Sequence, residues 1–246
     1  MIAALDFDGV LFNTCYDNLI NAFNSYLELF PDTKIFYGKR LHVKDLKKIK
    51  RSETTRRFQR YMIYTRCAEE LILVYYAIDN EKKIAGFKDT DDLRRMFSEK
   101  KLLSWRKLFY KNRYKLQKEK GWHKINMPYK KALSRAKDSS LPIYIVTNKD
   151  RRTVKLLLDK YGLKVKGIMD KDISIDKSEK FKKLTRKLNI IPENIYFVDD
   201  NLEHILKVRK LKVSCFLASW GYNTAEDITL AKNKKIRVID DLEDVV

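Results

Sequence analysis

The sequence predicts an α/β protein: an open parallel sheet with a large all-helical block inserted after its first strand. Three observations carry that prediction. Short apolar runs alternate with helix-length amphipathic segments from about residue 125 to the C-terminus, the pattern of parallel strands joined by right-handed crossovers. A similar run, Ile2-Ala3-Ala4-Leu5, opens the chain. Between them, from about Tyr16 to Lys124, no strand-like run occurs and the patterning is helical throughout. The expected units are residues 1–14 with 125–246, and residues 15–124.

Each element follows from local pattern. Ile2 to Leu5 stops on Asp6-Phe7-Asp8-Gly9, as a buried parallel strand does when it delivers a carboxylate to the sheet's C-terminal edge. Asn18 to Phe30 reads as a helix with apolar Leu19, Ile20, Phe23, Tyr26, Leu27 and Phe30, stopped by Pro31 and Asp32. Helical pattern resumes over Ser52 to Ile78, whose nearly all-apolar end, Ala68 to Ile78, predicts a helix buried among others. It runs again over Thr90 to Lys120, with Asp89-Thr90-Asp91 as the N-cap. Pro128 opens a helix to Lys137, and Pro142 to Val146 is a strand ending on Thr147-Asn148. Asp150 to Tyr161 is a helix closed by Gly162, followed by a strand at Val165 to Met169 and a helix at Ser178 to Leu188. The strand Ile195 to Val198 ends on Asp199-Asp200. Asn201 to Lys210 is helical, and Val213 to Ala218 and Ile236 to Ile239 are the last strands.

Composition narrows the class. A length of 246 residues with 44% apolar content can bury a real core. No apolar stretch approaches the ~18 residues of a membrane span, so membrane partners are not expected. Cys15, Cys67 and Cys215 are scattered and lack metal spacing, which together with the missing span predicts a cytoplasmic protein. The net charge is +20, from 53 basic and 33 acidic residues, with only 7 glycines and 4 prolines. Such a balance suits a thermophile's charge-rich surface as well as a polyanion binder. The excess is concentrated in the inserted block, where Cys15 to Lys124 holds 27 basic and 14 acidic residues.

Three predicted strands end in polar residues at one sheet edge: Asp6 and Asp8, Thr147 and Asn148, Asp199 and Asp200. Four converging carboxylates repel one another unless a cation neutralises them, so the cluster predicts a divalent metal. Oxygen donors without His or Cys favour Mg²⁺. The strand end at Thr147 leading into a helix N-terminus suits phosphate oxygens. Lys177, just ahead of a helix, is the candidate counter-charge, with Lys180 one turn on as its rival.

These residues resemble the motifs of the haloacid dehalogenase superfamily, in its phosphatase branch with a helical cap. The first motif matches Asp6-Phe7-Asp8-Gly9-Val10-Leu11, the second Ile145-Val146-Thr147-Asn148, the third Lys177, and the fourth Phe197-Val198-Asp199-Asp200. Leu156 to Leu163 and Trp220-Gly221-Tyr222-Asn223 are similar to the framework of phosphoglycolate phosphatase-like members. The resemblance implies a Rossmann-like core with residues 15–124 as the cap, which in the family contacts the leaving group. It further implies an Mg²⁺-dependent phosphomonoesterase acting on a small phosphorylated metabolite. Asp6 would be the nucleophile and Asp8 the general acid and base. Phe7, Thr147, Asn148 and Lys177 would hold the phosphoryl group through side chains and neighbouring amides. The metal would sit on Asp6, the backbone carbonyl of Asp8, and Asp200, with Asp199 beside them. Where relatives often carry an acid four residues past the metal aspartate, this chain has His204, next to Glu203; either residue can fill that supporting role, and a surface position on a helix is the preferred reading.

The basic block admits a second function, a phosphatase for nucleic-acid ends or nucleotides, since Trp105, Phe109, Tyr110, Tyr114 and Trp122 alternate there with Lys and Arg. Trp105, Leu108, Phe109 and Leu116 share one helical face, however, so a core stripe with a solvated basic side is the preferred reading. A non-enzymatic basic module comes third, because it has no use for four carboxylates and a threonine at strand ends.

Overall fold

Ile2–Leu5 (β1) lies in the middle of a six-stranded sheet in the computed structural model, which describes all 246 residues. Phe12–Asn13 (β2) and Met127–Pro128 (β3) pair antiparallel as a separate ribbon. Ile143–Val146 (β4), Gly167–Met169 (β5), Ile195–Asp199 (β6), Ser214–Ala218 (β7) and Arg237–Ile239 (β8) complete the sheet. Its order is β5-β4-β1-β6-β7-β8, with every neighbouring pair parallel. Chain order therefore runs outward from β1 through β4 to β5, then returns to β6 on the other side. That reversal leaves a crevice at the C-terminal ends of the central strands, where doubly wound α/β proteins bind ligands.

The chain divides into two compact units, Met1–Asn13 with Met127–Val246, and Thr14–Asn126. The second is entirely helical: Cys15–Leu29 (α1), Leu46–Ile49 (α2), Glu53–Met62 (α3), Ala68–Asp79 (α4), Phe87–Arg95 (α5) and Glu99–Leu116 (α6). Helices α1, α4 and α6 pack on one another, and α4 is buried from Ala68 through Tyr75. That burial includes Glu69 and Glu70 in its first turn. Arg94 and Arg106 bind Glu69, and Arg66 binds Glu70, so each buried carboxylate has a cationic partner. Trp105, Phe109 and Leu116 of α6 are buried in this unit's core.

Three boundaries differ from the sequence reading for local reasons. Ser52 to Ile78 is two helices, because the Thr65 hydroxyl donates to the Met62 carbonyl at the end of α3 and Cys67 adopts extended backbone ahead of α4. Thr90 to Lys120 is also broken: Ser98 is extended and its hydroxyl accepts the Lys101 amide, capping α6. Asp89 is not an N-cap but lies inside α5, reaching back to accept the amides of Ala85 and Gly86.

The helices of the sheet-bearing unit are Lys130–Asp138 (α7), Arg151–Tyr161 (α8), Lys177–Leu188 (α9), Leu202–Arg209 (α10) and Ala225–Asn233 (α11). Pro128 does not open α7; it is extended opposite Phe12, and the helix starts two residues later. Helix α11 went unread, although Thr224 and Asp227 form a reciprocal cap at its start. Asp150 caps α8 by accepting the Thr153 amide, and Gly162 ends it in the left-handed region at φ 68°. Under the sheet, Phe181 of α9 meets Phe197 of β6 edge-on at 4.7 Å, both fully buried. Phe181→Ala is expected to cost about 3–5 kcal/mol of folding stability, read from chemical denaturation. A loss under ~1 kcal/mol would contradict this packing.

Candidate active site

Sheet register brings the carboxylates together. Leu5 stands opposite Val198 across the β1–β6 pair, so Asp6 and Asp199 leave the sheet side by side, with the Asp6 amide donating to the Val198 carbonyl at 2.9 Å. Asp200 follows directly, and ligand oxygens of Asp6, Asp199 and Asp200 all lie within 4.8 Å of one another. All three residues are buried. Such a cluster needs positive charge to survive out of water.

Lys177 supplies part of it. Its Nζ, at the start of α9, lies 2.9 Å from Asp6 Oδ2 and 2.7 Å from Asp199 Oδ2. Lys180 faces the same region but does a different job: its Nζ donates to the Thr147 carbonyl and to Asn148 Oδ1. Burial, with Lys177 adding to it, pushes the Lys180 ammonium down to about 7. The bridge between carboxylates thus belongs to Lys177, while Lys180 secures the β4 end.

The remaining predicted residues divide in their placement. Thr147 is buried, its hydroxyl accepting the Lys149 amide at 3.1 Å. Asn148 has its side-chain oxygen engaged by Lys180. The ring of Phe7 is buried and stacked on Phe12 at 4.6 Å, so only its backbone could meet a ligand. Asp8 is partly exposed and stands outside the three-carboxylate cluster. Both of its oxygens lie close to Lys149 Nζ, at 3.1 and 3.2 Å. Lys149 has a fully buried side chain and was missed from sequence, although it directly follows the Thr-Asn strand end.

His204 corrects a sequence expectation. Rather than facing solvent it packs behind Asp199, its side chain 12% exposed, with Nδ1 at 3.2 Å from Asp199 Oδ2. Burial and Lys177 hold the imidazole below its usual pKa, so the contact is Nδ1–H of a neutral ring donating to an ionised carboxylate. Glu203 instead pairs with Lys207 one turn along α10. Burial opposes ionisation of Asp199, but Lys177 and His204 outweigh it and hold that carboxyl well below the usual range.

A cation would fit among these groups. Asp6 Oδ1 is buried without a hydrogen-bond partner. Burial together with Asp199 and Asp8 raises Asp6 to about 7 against the pull of Lys177. Asp200 is pushed well up by burial and by Asp199 and Asp6, although the Tyr222 amide donates to its Oδ2. Two glycines make room for it. A Cβ on Gly9 would lie 1.8 Å from Asp200 Oδ2, and one on Gly221 would lie 2.2 Å from Asp200 Cβ. Gly221 belongs to the loop after β7, which also braces the turn after β1: Trp220 Nε1 donates to the Val10 carbonyl and the Tyr222 hydroxyl to Asn13. The donor set is oxygen only, which suits a hard cation.

The family model for haloacid dehalogenase-like hydrolases matches residues 1–206, and the chain belongs to that family. It is a hydrolase on that ground. Among solved structures it is similar to a predicted phosphoglycolate phosphatase from Haemophilus somnus 129PT, at 17% identity and TM-score 0.65, covering 99% of this chain and 95% of that one. A putative haloacid dehalogenase-like hydrolase from Bacteroides fragilis aligns at 16% identity and TM-score 0.64, covering 100% and 99%. A haloacid dehalogenase-like hydrolase from Streptococcus pneumoniae aligns at 12% identity and TM-score 0.62, covering 99% and 95%. At these identities the likeness is one of fold. No curated protein matches the sequence.

Two outcomes follow. Removing Lys177 as Lys177→Met strands two buried carboxylates and should cost about 3–5 kcal/mol at neutral pH in a denaturant titration. In metal-free protein, Asp6 and Asp200 hold protons that the unfolded chain releases near pH 4, so these two groups lower stability as pH rises from about 4 to 7. Asp199 is ionised in both states across that window and contributes no slope. A divalent cation held by the cluster should therefore raise Tm more at neutral pH than near pH 5, and Asp200→Asn should reduce both effects. Equal effects of added divalent cation at the two pH values would show that the carboxylates do not hold the ion.

Proposed function

We propose that the chain is a magnesium-dependent phosphomonoesterase acting on a small phosphorylated metabolite in the cytoplasm, with Asp6 as nucleophile. The observation that carries this reading is the Asp6 carboxylate itself. One oxygen is fixed by Lys177 at 2.9 Å, and the other, Oδ1, is buried with no hydrogen-bond partner. A carboxylate held by one oxygen with the second left bare is oriented for attack.

In the proposed reaction Oδ1 attacks phosphorus while the ester P–O bond breaks, leaving an aspartyl-phosphate on Asp6. The departing oxygen takes a proton from the Asp8 carboxyl group. Asp8, now ionised, takes a proton from water, whose oxygen attacks phosphorus; the P–O bond to Asp6 breaks and the carboxylate is regenerated with release of phosphate. Lys149 holds the Asp8 carboxylate through both oxygens and orients it between these two steps. Thr147, Asn148, Lys177 and the backbone at Phe7 would position the phosphoryl oxygens, in a reaction where positioning and charge neutralisation supply most of the rate. The residues suited to hold Mg²⁺ are Asp6, Asp200 and the Asp8 carbonyl, with Asp199 behind them bound to Lys177 and His204. When bound, the ion neutralises carboxylate and phosphoryl charge.

Asp8 also separates phosphoryl transfer from dehalogenation. An alkoxide leaving group needs a proton and a halide does not, so a second carboxylate two residues past the nucleophile has work to do only in the first case. A fold relative described as a predicted phosphoglycolate phosphatase supports the same chemistry. The three free cysteines support a reducing compartment. Asp6→Asn is expected to abolish hydrolysis of p-nitrophenyl phosphate while leaving the circular-dichroism spectrum intact. Asp8→Asn should slow alkyl phosphates, which need the proton, more than p-nitrophenyl phosphate, and EDTA should silence the wild type. Turnover surviving Asp6→Asn would remove the nucleophile from the proposal.

A further inference from the structure

The excess positive charge of the helical unit is laid out as two exposed rows. Residues 39–60 contain ten basic and two acidic side chains, and residues 100–124 contain ten basic and one acidic. In the first segment Lys44, Lys47, Lys48 and Arg51 recur at i, i+3, i+4 and i+7 through the helical turns Val43–Asp45 and α2, so they line one face. All four are exposed, and none enters an ion pair. In the second, Lys107, Lys111 and Lys115 follow one face of α6 and Lys118 stands just past its end, again exposed and unpaired.

The two rows adjoin. Arg40 Nη2 donates to Asn112 Oδ1 at 2.8 Å, and Glu119 takes His42 Nδ1 at 2.7 Å and the Val43 amide at 2.9 Å. Those contacts also show where the local acids go. Glu119 is spent on His42 and a backbone amide, and Asp45 accepts the His42 amide at 2.9 Å, so neither neutralises a lysine. The arginines of the same unit show the opposite pattern: Arg66 and Arg94, and on α6 itself Arg106 and Arg113, are each paired with buried or half-buried carboxylates and belong to neither row. A surface tuned for heat resistance interleaves both signs into networks. Rows of one sign, left unpaired, cost self-repulsion in the folded state and gain only when an anion lies along them.

Aromatic side chains accompany the cations. Tyr37 is 91% exposed, at the tip of a turn where both it and Phe36 adopt left-handed backbone, at φ 60° and 46°. Phe36 accounts for its own strain by packing edge-on against Phe23 at 5.0 Å; Tyr37 packs on nothing of the kind. On α6, half-exposed Tyr110 and Tyr114 stand one turn apart among the lysines, their rings 6.5 Å from each other.

We propose that this face of the helical unit binds single-stranded nucleic acid, the lysine rows following phosphates and Tyr37, Tyr110 and Tyr114 offering rings to bases. Duplex would use the charge but not the aromatics, whereas an unstacked strand uses both. The proposal involves no residue of the carboxylate site and stands or falls apart from the hydrolase chemistry.

The test is fluorescence anisotropy of the full chain with a labelled mixed-sequence RNA of about 20 nucleotides, titrated over a range of salt. Binding is expected, weakening linearly in log–log salt with a slope of several ion equivalents. The combined variant Lys44→Glu, Lys47→Glu, Lys48→Glu should weaken it more than tenfold and flatten the salt slope. Tyr37→Ala should weaken RNA by about tenfold yet leave inorganic polyphosphate binding unchanged. Both variants should hydrolyse p-nitrophenyl phosphate like the wild type. Absence of RNA binding at low salt would overturn the proposal. So would polyphosphate or phosphatidylserine vesicles bound as tightly as RNA, or indifference of RNA binding to Tyr37→Ala.

Discussion

The Lys177 ammonium, lodged between Asp6 and Asp199, is the interaction on which the site depends. Two strands that pair in register must project their terminal carboxylates into the same small volume, and a third carboxylate follows on the next residue. Without a buried cation the arrangement would protonate or splay apart. Lys177 divides the cluster unevenly, because Asp199 takes the shorter contact and a second donor from His204, while Asp6 keeps one bare oxygen. The asymmetry yields one carboxylate kept ionised for structural reasons and another, raised to about 7, whose charge waits on a further cation.

The rest of the sheet-bearing unit serves to keep that volume open and its walls fixed. Gly9 and Gly221 contribute by lacking a side chain, since either Cβ would occupy the space of Asp200. The loop after β7 clamps the turn after β1 through Trp220 and Tyr222, so the residues following the nucleophile strand cannot drift from the Asp200 side. Lys180 closes the β4 end through the Thr147 carbonyl, while the Thr147 hydroxyl takes the Lys149 amide. These contacts fix the geometry of the walls around the carboxylates.

The helical unit handles buried charge by the same physical rule. Glu69 and Glu70, in the first turn of a helix that is otherwise apolar, are matched by Arg66, Arg94 and Arg106, and Asp17 by Arg113 and the Trp122 indole. Interior carboxylates in this unit find partners, and its unpaired cations lie on the outside. Composition alone shows a single excess of lysine and arginine; the structure separates the part that holds helices together from the part that is free to meet solvent or an anion.

Local sequence is enough to specify the sheet and the identity of the groups at its edge. Apolar runs ending on Asp6, Thr147 and Asp199 are local signals, and strand period and length fix which end of each run carries the polar residue. Helix breaks inside the inserted block escaped that reading because they rest on single hydroxyls, Thr65 and Ser98, whose competing hydrogen bonds leave hydrophobic periodicity intact. Only the packed fold settles which lysine bridges the carboxylates, that Lys149 holds Asp8, and that His204 packs against Asp199. The first and last depend on how far α9 and α10 are rotated about their axes as they pack on the sheet, and Lys149 is placed by the turn between β4 and α8. Rotation of a helix is set by the sum of its packing contacts, and no short stretch of residues encodes it.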